Sequence, residues 1–193
     1  MGLLSVVVAA AFQVVASMQR SAQITTDRFT AEGEAQIIAD RITKDIRAAV
    51  TASATGAAFV AADVNDVTFY ANLADPNGPT KLHAYLTLKP GTNVYLFHED
   101  ATPPDAGGSP GNYTYSAAPS TRIDGQYLDT TQPIFSYFDA DGVALTTPIT
   151  TLANLRSIDV VGVNLRVRVS PSAPIVVIQT QVHVRNVDYN PNN

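Results

Sequence analysis

Residues 1–51, MGLLSVVVAAAFQVVASMQRSAQITTDRFTAEGEAQIIADRITKDIRAAVT, decide the fold of this chain. They contain no proline, and Gly33 is the only glycine after Gly2. In the second half of the stretch apolar residues recur at helical spacing, at Ala35, Ile38, Ile42, Ile46 and Ala49. We therefore predict one helix from about residue 2 to residue 51, roughly 75 Å long at a rise of 1.5 Å per residue.

The first third of this helix is apolar on every side. Residues 2–18 carry no charge, and Arg20 is the first charged residue. A bilayer requires about 20 apolar residues, so this run is at the lower limit of a membrane span. A secretory signal peptide is disfavoured because no basic residue precedes the run. A buried core helix is disfavoured because few small chains can cover every side of a helix. A membrane anchor whose first residues are missing fits the run best.

After residue 58 the hydrophobic period changes from helical to alternating, which predicts β-strands. Residues 81–100 predict a hairpin that turns at Pro90-Gly91, and residues 134–145 predict a second hairpin that turns at Asp141-Gly142. Residues 158–169 and 174–187 predict two closing strands with regularly alternating inward and outward side chains. The second half of the chain is therefore expected to be an antiparallel sheet.

These patterns predict an α+β fold in which a long N-terminal helix packs on an antiparallel β-sheet domain. The helix comprises residues 1–52, with an apolar part at 1–18 and an amphipathic part at 19–52. The globular β domain comprises residues 53–193 and includes a long loop at 99–132, rich in Pro, Gly, Ser, Thr and Asp. The residues expected to pack the helix on the sheet are Ile38, Ile42, Ile46 and Ala49.

The composition excludes several classes of function. The 12 Lys and Arg residues against 17 Asp and Glu give a net charge of -5 and form no basic cluster, so no nucleic-acid partner is predicted. Cysteine is absent, which excludes disulfides, thiolate metal sites and a cysteine nucleophile.

The candidate metal-ligating residues do not form a known metal motif. His98, Glu99 and Asp100 are adjacent, but they lack the second histidine of a zinc-protease helix. Asp139 and Asp141 are similar to the start of a calcium loop, yet their spacing from the following glycine is that of a hairpin turn. We expect no metal ligand and no cofactor.

The sequence contains no arrangement of residues that predicts catalysis. A nucleophile elbow and a phosphate-binding loop are both absent. His83 and His183 are predicted to lie on the outward, solvated faces of their strands. We therefore expect no catalytic residue and a protein that is not an enzyme.

The order of these segments resembles that of type IV pilins and pseudopilins. RITKDIRAAV at residues 41–50 is similar to the helix end of W-type minor pilins and J-type pseudopilins, where an L-x-x-D-I/L-R-x-A pattern recurs. PIFSYFDADGVAL at residues 133–145 resembles the aromatic hairpin of that group. Residues 155–169 and 179–187 resemble its closing strands.

The resemblance implies a structural subunit, a minor pilin or pseudopilin of a type IV pilus or a type II secretion-like filament. Its partners would be other pilin or pseudopilin subunits, and inner-membrane lipid before assembly. It would be a single-pass membrane protein with an extracytoplasmic domain, and later part of a cell-surface or periplasmic filament. The residues that would pack in the membrane or the filament core are Leu3, Leu4, Val7, Val8, Ala11, Phe12 and Val15.

The family's start is the point where this sequence departs from the pattern. Family members begin with a short basic leader ending in Gly, followed by a Phe-Thr-Leu-like start with Glu at the fifth mature position. The printed sequence contains neither feature. The resemblance therefore implies a chain whose leader and first mature residues are missing.

Two alternatives remain open. The chain could be a membrane-anchored extracytoplasmic β-sheet binding module that does not polymerise, with Tyr113, Tyr115 and Tyr127 as contact residues or as residues that pin the loop. It could also be an anchored hydrolase that uses Asp139 and Asp141 or His98, although nothing places a base near a nucleophile.

Overall fold

The computed structural model describes residues 2–53, 56–109 and 111–184, with the backbone alone at residues 2–7 and 9. Helix α1 spans Gly2–Arg47 without interruption and continues through Gly33. Lys44 and Arg47 lie in its last turn, where cationic side chains favour the negative end of the helix dipole. No helical stretch in the described part of the chain reaches the length and hydropathy expected of a membrane span.

In the described part of the chain, eight strands and one short helix follow α1. A helix, α2, spans Leu152–Arg156 and is capped by Thr151, whose side chain accepts a hydrogen bond from the Asn154 N–H. The strands are β1 (Phe59–Ala62), β2 (Asp66–Ala71), β3 (Thr80–Leu88), β4 (Tyr95–Thr102), β5 (Ser120–Leu128), β6 (Phe135–Phe138), β7 (Val160–Val167) and β8 (Val176–His183).

The strands form one curled antiparallel sheet, so the expected α+β arrangement is confirmed. The order is β1-β2-β3-β4-β5-β7-β6, and β8 pairs along the opposite edge of β7. Two register shifts between β4 and β5 increase the local twist of the sheet. Strand β5 then meets β7 only at Leu128 and Val167, next to Tyr127 with its positive φ of 65°.

The main core lies between α1 and the sheet, as the helical spacing predicts. Ile38, Ile42 and Ile46 are fully buried, and α1 packs mainly against β8, β7 and β5. The same core contains the large inward side chains Phe59, Phe69, Phe97, Phe135 and Tyr137. Full burial of each of these side chains contributes roughly 1.5–3 kcal/mol to folding.

Two boundaries differ from the sequence-based expectation. The helix ends at Arg47 rather than near residue 52, and Ala49 is buried in an isolated β-bridge with Ala71 instead of within the helix. The predicted loop at 99–132 is wrong as a single loop, because β4 continues to Thr102 and all of β5 lies inside it. The irregular segments within it are therefore residues 103–119 and 129–132, and the glycine and the charges of STRIDGQYL obscured its alternation.

Candidate functional site

The N-terminal part of α1 extends beyond the sheet without cover from the other described residues. The first buried side chain described in the helix is Asp27, and every side chain described in residues 8–26, the projecting segment, is exposed. Phe12 is 72% exposed and Met18 is 66% exposed. The segment's 19 residues correspond to roughly 28 Å of helix. Its apolar part runs from residue 8 to Met18, about 16 Å of helix, and residues 19–26 are mostly polar. An exposed apolar surface of this kind is characteristic of an interaction site.

The exposed apolar side chains surround the projecting segment. At 100° per residue, Phe12 and Val15 point to one side of the helix, whereas Val14 and Ile24 point to the other. A surface helix of a globular protein would carry a single apolar stripe. Of the residues assigned to packing from the sequence, Val8, Ala11, Phe12 and Val15 are exposed on this segment. The side chains of Leu3, Leu4 and Val7 lie outside the described residues.

The docked part of α1 begins with a polar contact at the edge of the sheet. Asp27 is buried, and its Oδ2 accepts a hydrogen bond from the Ser170 hydroxyl at 2.6 Å. Its Oδ1 accepts a second hydrogen bond from the Gln23 side-chain amide at 2.8 Å. The buried carboxylate therefore has donors on both oxygens, which fixes the point where the helix leaves the domain.

Two to three turns further along, the helix and β5 come close together at Gly125. A Cβ atom at this position would lie 2.5 Å from Ile38 Cδ1 and 2.9 Å from Glu34 Oε2, both too short for real contacts. The neighbouring Gln126 N–H donates a hydrogen bond to Glu34 Oε2 at 3.1 Å. The missing side chain therefore allows the helix to approach the strand backbone.

A group of charges with two buried carboxylates joins the C-terminal part of α1 to β4 and β5. This charge cluster consists of Arg41, Asp45, Glu99, Arg122 and Asp124. Glu99 is 3% exposed and Asp45 is 1% exposed. Glu99 Oε1 accepts a hydrogen bond from Arg122 Nη2 at 2.7 Å and a longer one from Arg41 Nη2 at 3.4 Å. Arg122 also pairs with Asp124.

The charge cluster leaves two carboxylate oxygens without a hydrogen-bond donor. Asp45 Oδ2 lies 2.9 Å from Arg41 Nε but out of line with its N–H, and Glu99 Oε2 accepts no hydrogen bond from the described residues. Burial raises the pKa of Glu99 to about 7, and the adjacent Asp45 carboxylate adds to the rise, while Arg122 and Arg41 partly offset it. A proton on Glu99, which is bound at a pH below about 7, places a donor between Glu99 and Asp45.

The residues considered for a metal site or for hydrolysis point in different directions. Glu99 faces the helix, whereas His98 and Asp100 lie on the opposite face of β4, because adjacent strand residues alternate. Asp139 Oδ1 accepts hydrogen bonds from the Asp141 N–H at 3.1 Å and from the N–H of residue 143 at 2.8 Å, which caps the predicted hairpin turn. The three adjacent side chains at 98–100 therefore do not converge on one point, and the Asp139 carboxylate is engaged in the turn.

Three rings stack across the outer face of β3 and β4. Tyr85 lies between His83 and His98, with ring centroids 4.4 and 5.3 Å apart. His83 Nε2 is 2.9 Å from Asp66 Oδ2, and His98 Nε2 is 2.7 Å from Thr87 Oγ1. The outward position predicted for His83 is confirmed. Among the described residues, no three metal-ligating side chains converge.

The tyrosines considered as ligand contacts pack on their own domain. Tyr115 stacks on Tyr70 at 5.4 Å and donates a hydrogen bond to the Pro79 carbonyl oxygen. Tyr113 lies against the backbone of Gly78, where no side chain would fit. Two of the three tyrosines therefore hold the 103–119 segment against β2 and the start of β3.

The contacts that hold the helix had partial signals in the sequence. Glu99 shares the parity of Phe97 in β4, which places it inward, and Gly125 interrupts an otherwise regular strand. Asp45 lies at the edge of the Ile38–Ile42–Ile46 stripe. The sequence did not show which strands the helix contacts, and that contact brings residues 41, 45 and 99 together.

Comparisons with known proteins supply no assignment: no protein-family model matches the chain, and no curated protein is significantly similar to it.

Proposed function

We propose that this chain is a structural subunit of a type IV pilin-like filament, a minor pilin or pseudopilin that assembles through the projecting segment of α1. The observation that carries the proposal is the projecting segment itself, which exposes large apolar side chains on opposite sides of the helix, at residues 8–18 and at Ile24. The sequence resemblance at residues 41–50 and 133–145 supports the same assignment.

The energetics of the projecting segment favour burial outside its own domain. Val8, Phe12, Val14, Val15 and Met18 are all more than 45% exposed. Moving each from water into an apolar environment is favourable by roughly 1–3 kcal/mol. Lipid and a bundle of similar helices both provide that environment, so the same residues would serve before and after assembly. In the proposal the subunit is a single-pass membrane protein first and a filament component later.

The anchored half of α1 supports a subunit in which helix and domain move together. Contacts are distributed along the helix at Asp27, Glu34, Ile38 and the charge cluster. A domain fixed on its helix in this way would be carried on the outside of a filament, extracytoplasmic before assembly and at the cell surface or in the periplasm afterwards. Its partners would be other pilin or pseudopilin subunits, and the role requires no catalytic reaction.

The proposal is tested by placing a charge on the projecting segment. We expect Phe12→Glu to remove the protein from the sheared filament fraction of its host, because a carboxylate in an apolar bundle or in lipid is unfavourable. Ile123→Glu is the matched control, since Ile123 is an equally apolar side chain, 57% exposed on β5.

The readout is peptide mass spectrometry of sheared filaments and of membranes. Loss of Phe12→Glu from filaments, with Ile123→Glu retained, supports assembly through the helix. A wild-type protein that is confined to membranes and never enters filaments contradicts the proposal and favours the membrane-anchored binding module.

A further inference from the structure

The outer edge of β8 carries unpaired backbone groups. Strand β8 pairs with β7 over eight residues without a register shift. The Val184 N–H donates to the Asp159 carbonyl oxygen, so the even-numbered residues of β8 direct their hydrogen-bonding groups toward β7. The N–H and C=O groups of Val177, Gln179, Gln181 and His183 therefore point away from the sheet. Within residues 2–53, 56–109 and 111–184, no strand pairs with this edge.

The edge of the sheet at β1 is protected against addition of another strand, whereas the edge at β8 is open. Strand β1 has four residues and a register shift between Phe59 and Ala61. Its Ala62 exchanges both backbone hydrogen bonds with Ile149, which blocks further pairing. Short, bulged and covered edges are the usual means of preventing strand addition. Strand β8 is long and regular, and it contains neither proline nor lysine.

We propose that β8 is an interface at which two copies of this chain pair, edge to edge and antiparallel, with Thr180 at the two-fold axis. This register places Gln179 opposite Gln181 of the second copy and Val177 opposite its His183. Side-chain amides can then pair across the new ladder, as in other amide-lined strands. On the inner face Ile178 meets Val182, an apolar match.

The edge favours a second copy over a charged partner strand. The four outward residues of β8 contain no Asp, Glu, Lys or Arg, so they offer no counter-charge to another protein. Self-pairing opposes no like charges, although the chain as a whole has a net charge of -5. The two identical strands also have the same length and twist. This interface lies on the β domain and is separate from the projecting segment.

The test removes one outward N–H from β8. In Gln181→Pro the lost N–H faces away from β7, so the β7–β8 ladder keeps all its hydrogen bonds. The matched control is Gln181→Thr, which changes the same side chain and keeps the N–H. Analytical ultracentrifugation of the full chain in a mild detergent measures dimerisation, and far-UV circular dichroism measures folding.

We expect a wild-type dimer, retention of the dimer in Gln181→Thr, and dimerisation at least about tenfold weaker in Gln181→Pro, because the symmetry loses each contact twice. A second variant, Gln179→Lys with Gln181→Lys, places like charges opposite each other and should also be monomeric without affecting the fold. A monomeric wild type, or dimers that survive both variants, overturns the proposal.

The same assay separates this interface from assembly through the helix. Phe12→Glu should still dimerise through β8, even where it fails to enter filaments. Dimers abolished by Phe12→Glu but unaffected by Gln181→Pro would assign association to the helix alone and refute the β8 interface.

Discussion

Replacement of Glu99 by Gln should remove a pH dependence of stability from the junction between α1 and the sheet. Glu99 is 3% exposed and shares the charge cluster with Asp45, Arg41 and Arg122. Burial and the Asp45 carboxylate raise the pKa of Glu99 from 4.5 to about 7. At about 1.4 kcal/mol per pKa unit, this shift corresponds to a change of at most about 3 kcal/mol in the free energy of unfolding.

The direction of this pH dependence follows from whether the folded or the unfolded protein binds the Glu99 proton more tightly. The folded protein holds the Glu99 proton up to about pH 7, whereas the unfolded chain releases it near pH 4.5. The contribution of the protonated Glu99 to the stability of the fold is therefore fully present below about pH 4.5 and is lost as the pH rises through 7. Glu99→Gln mimics the protonated side chain, so it should match the wild type near pH 4.5 and exceed its stability by up to about 3 kcal/mol at pH 8.5.

The assay is urea unfolding of the full chain in a mild detergent, followed by far-UV circular dichroism between pH 4.5 and 8.5. Glu32→Gln is the matched control, because Glu32 is an exposed helix carboxylate paired with Arg28. Its effect should stay small and nearly constant with pH. A difference between wild type and Glu99→Gln that does not change across this range would refute the shared proton, as would a variant that is less stable at every pH.

Three further substitutions test the packing and the electrostatics of the protein. Gly125→Ala should destabilise the protein by roughly 1–3 kcal/mol, because the new Cβ would lie 2.5 Å from Ile38 Cδ1. Gly33→Ala is the control: a Cβ there meets nothing within 4 Å, so this variant should be more stable by about 0.5–1 kcal/mol. Equal effects of the two substitutions in thermal unfolding would contradict this account. Burial favours a higher pKa for Asp129, but the hydrogen bonds from Thr131 and Arg168 outweigh it and hold this pKa at about 2. The folded protein therefore favours the carboxylate, and Asp129→Asn should be destabilising at neutral pH. The difference from wild type should shrink as the pH falls from about 4 toward 2, and a constant difference in acid unfolding would show that the carboxylate charge is not responsible.

The architecture was predictable wherever one regular period covers a whole element. The apolar spacing of Ile38, Ile42 and Ile46 predicted the face of α1 that packs on the sheet. The alternation in 158–169 and 174–187 predicted β7 and β8 and the outward position of His183. Strand β5 was missed because Gly125 and the charged residues before it break the alternation. Those same residues serve the contact with the helix, so the pattern failed where the tertiary contact is made.

The charge cluster could not have been assembled from the sequence. Arg41 and Asp45 are separated from Glu99 by more than 50 positions, and their contact depends on the crossing of α1 over β4 and β5. Local patterns report which side of an element is buried, but they do not report which elements meet. The apolar run at residues 2–18, by contrast, was visible at once, because seventeen residues without a charge need no tertiary information to be recognised.

Intermolecular cross-linking through the projecting segment tests the central claim most directly. The chain has no cysteine, so Phe12→Cys combined with Met18→Cys provides two reporters about 120° apart around the helix, and Val143→Cys with Leu152→Cys provides an exposed pair on the β domain. If helices pack side by side in a filament, oxidation of host filaments should yield a ladder of multimers from the helix pair and none beyond dimers from the domain pair. A helix pair that yields only monomers and dimers would contradict assembly through α1.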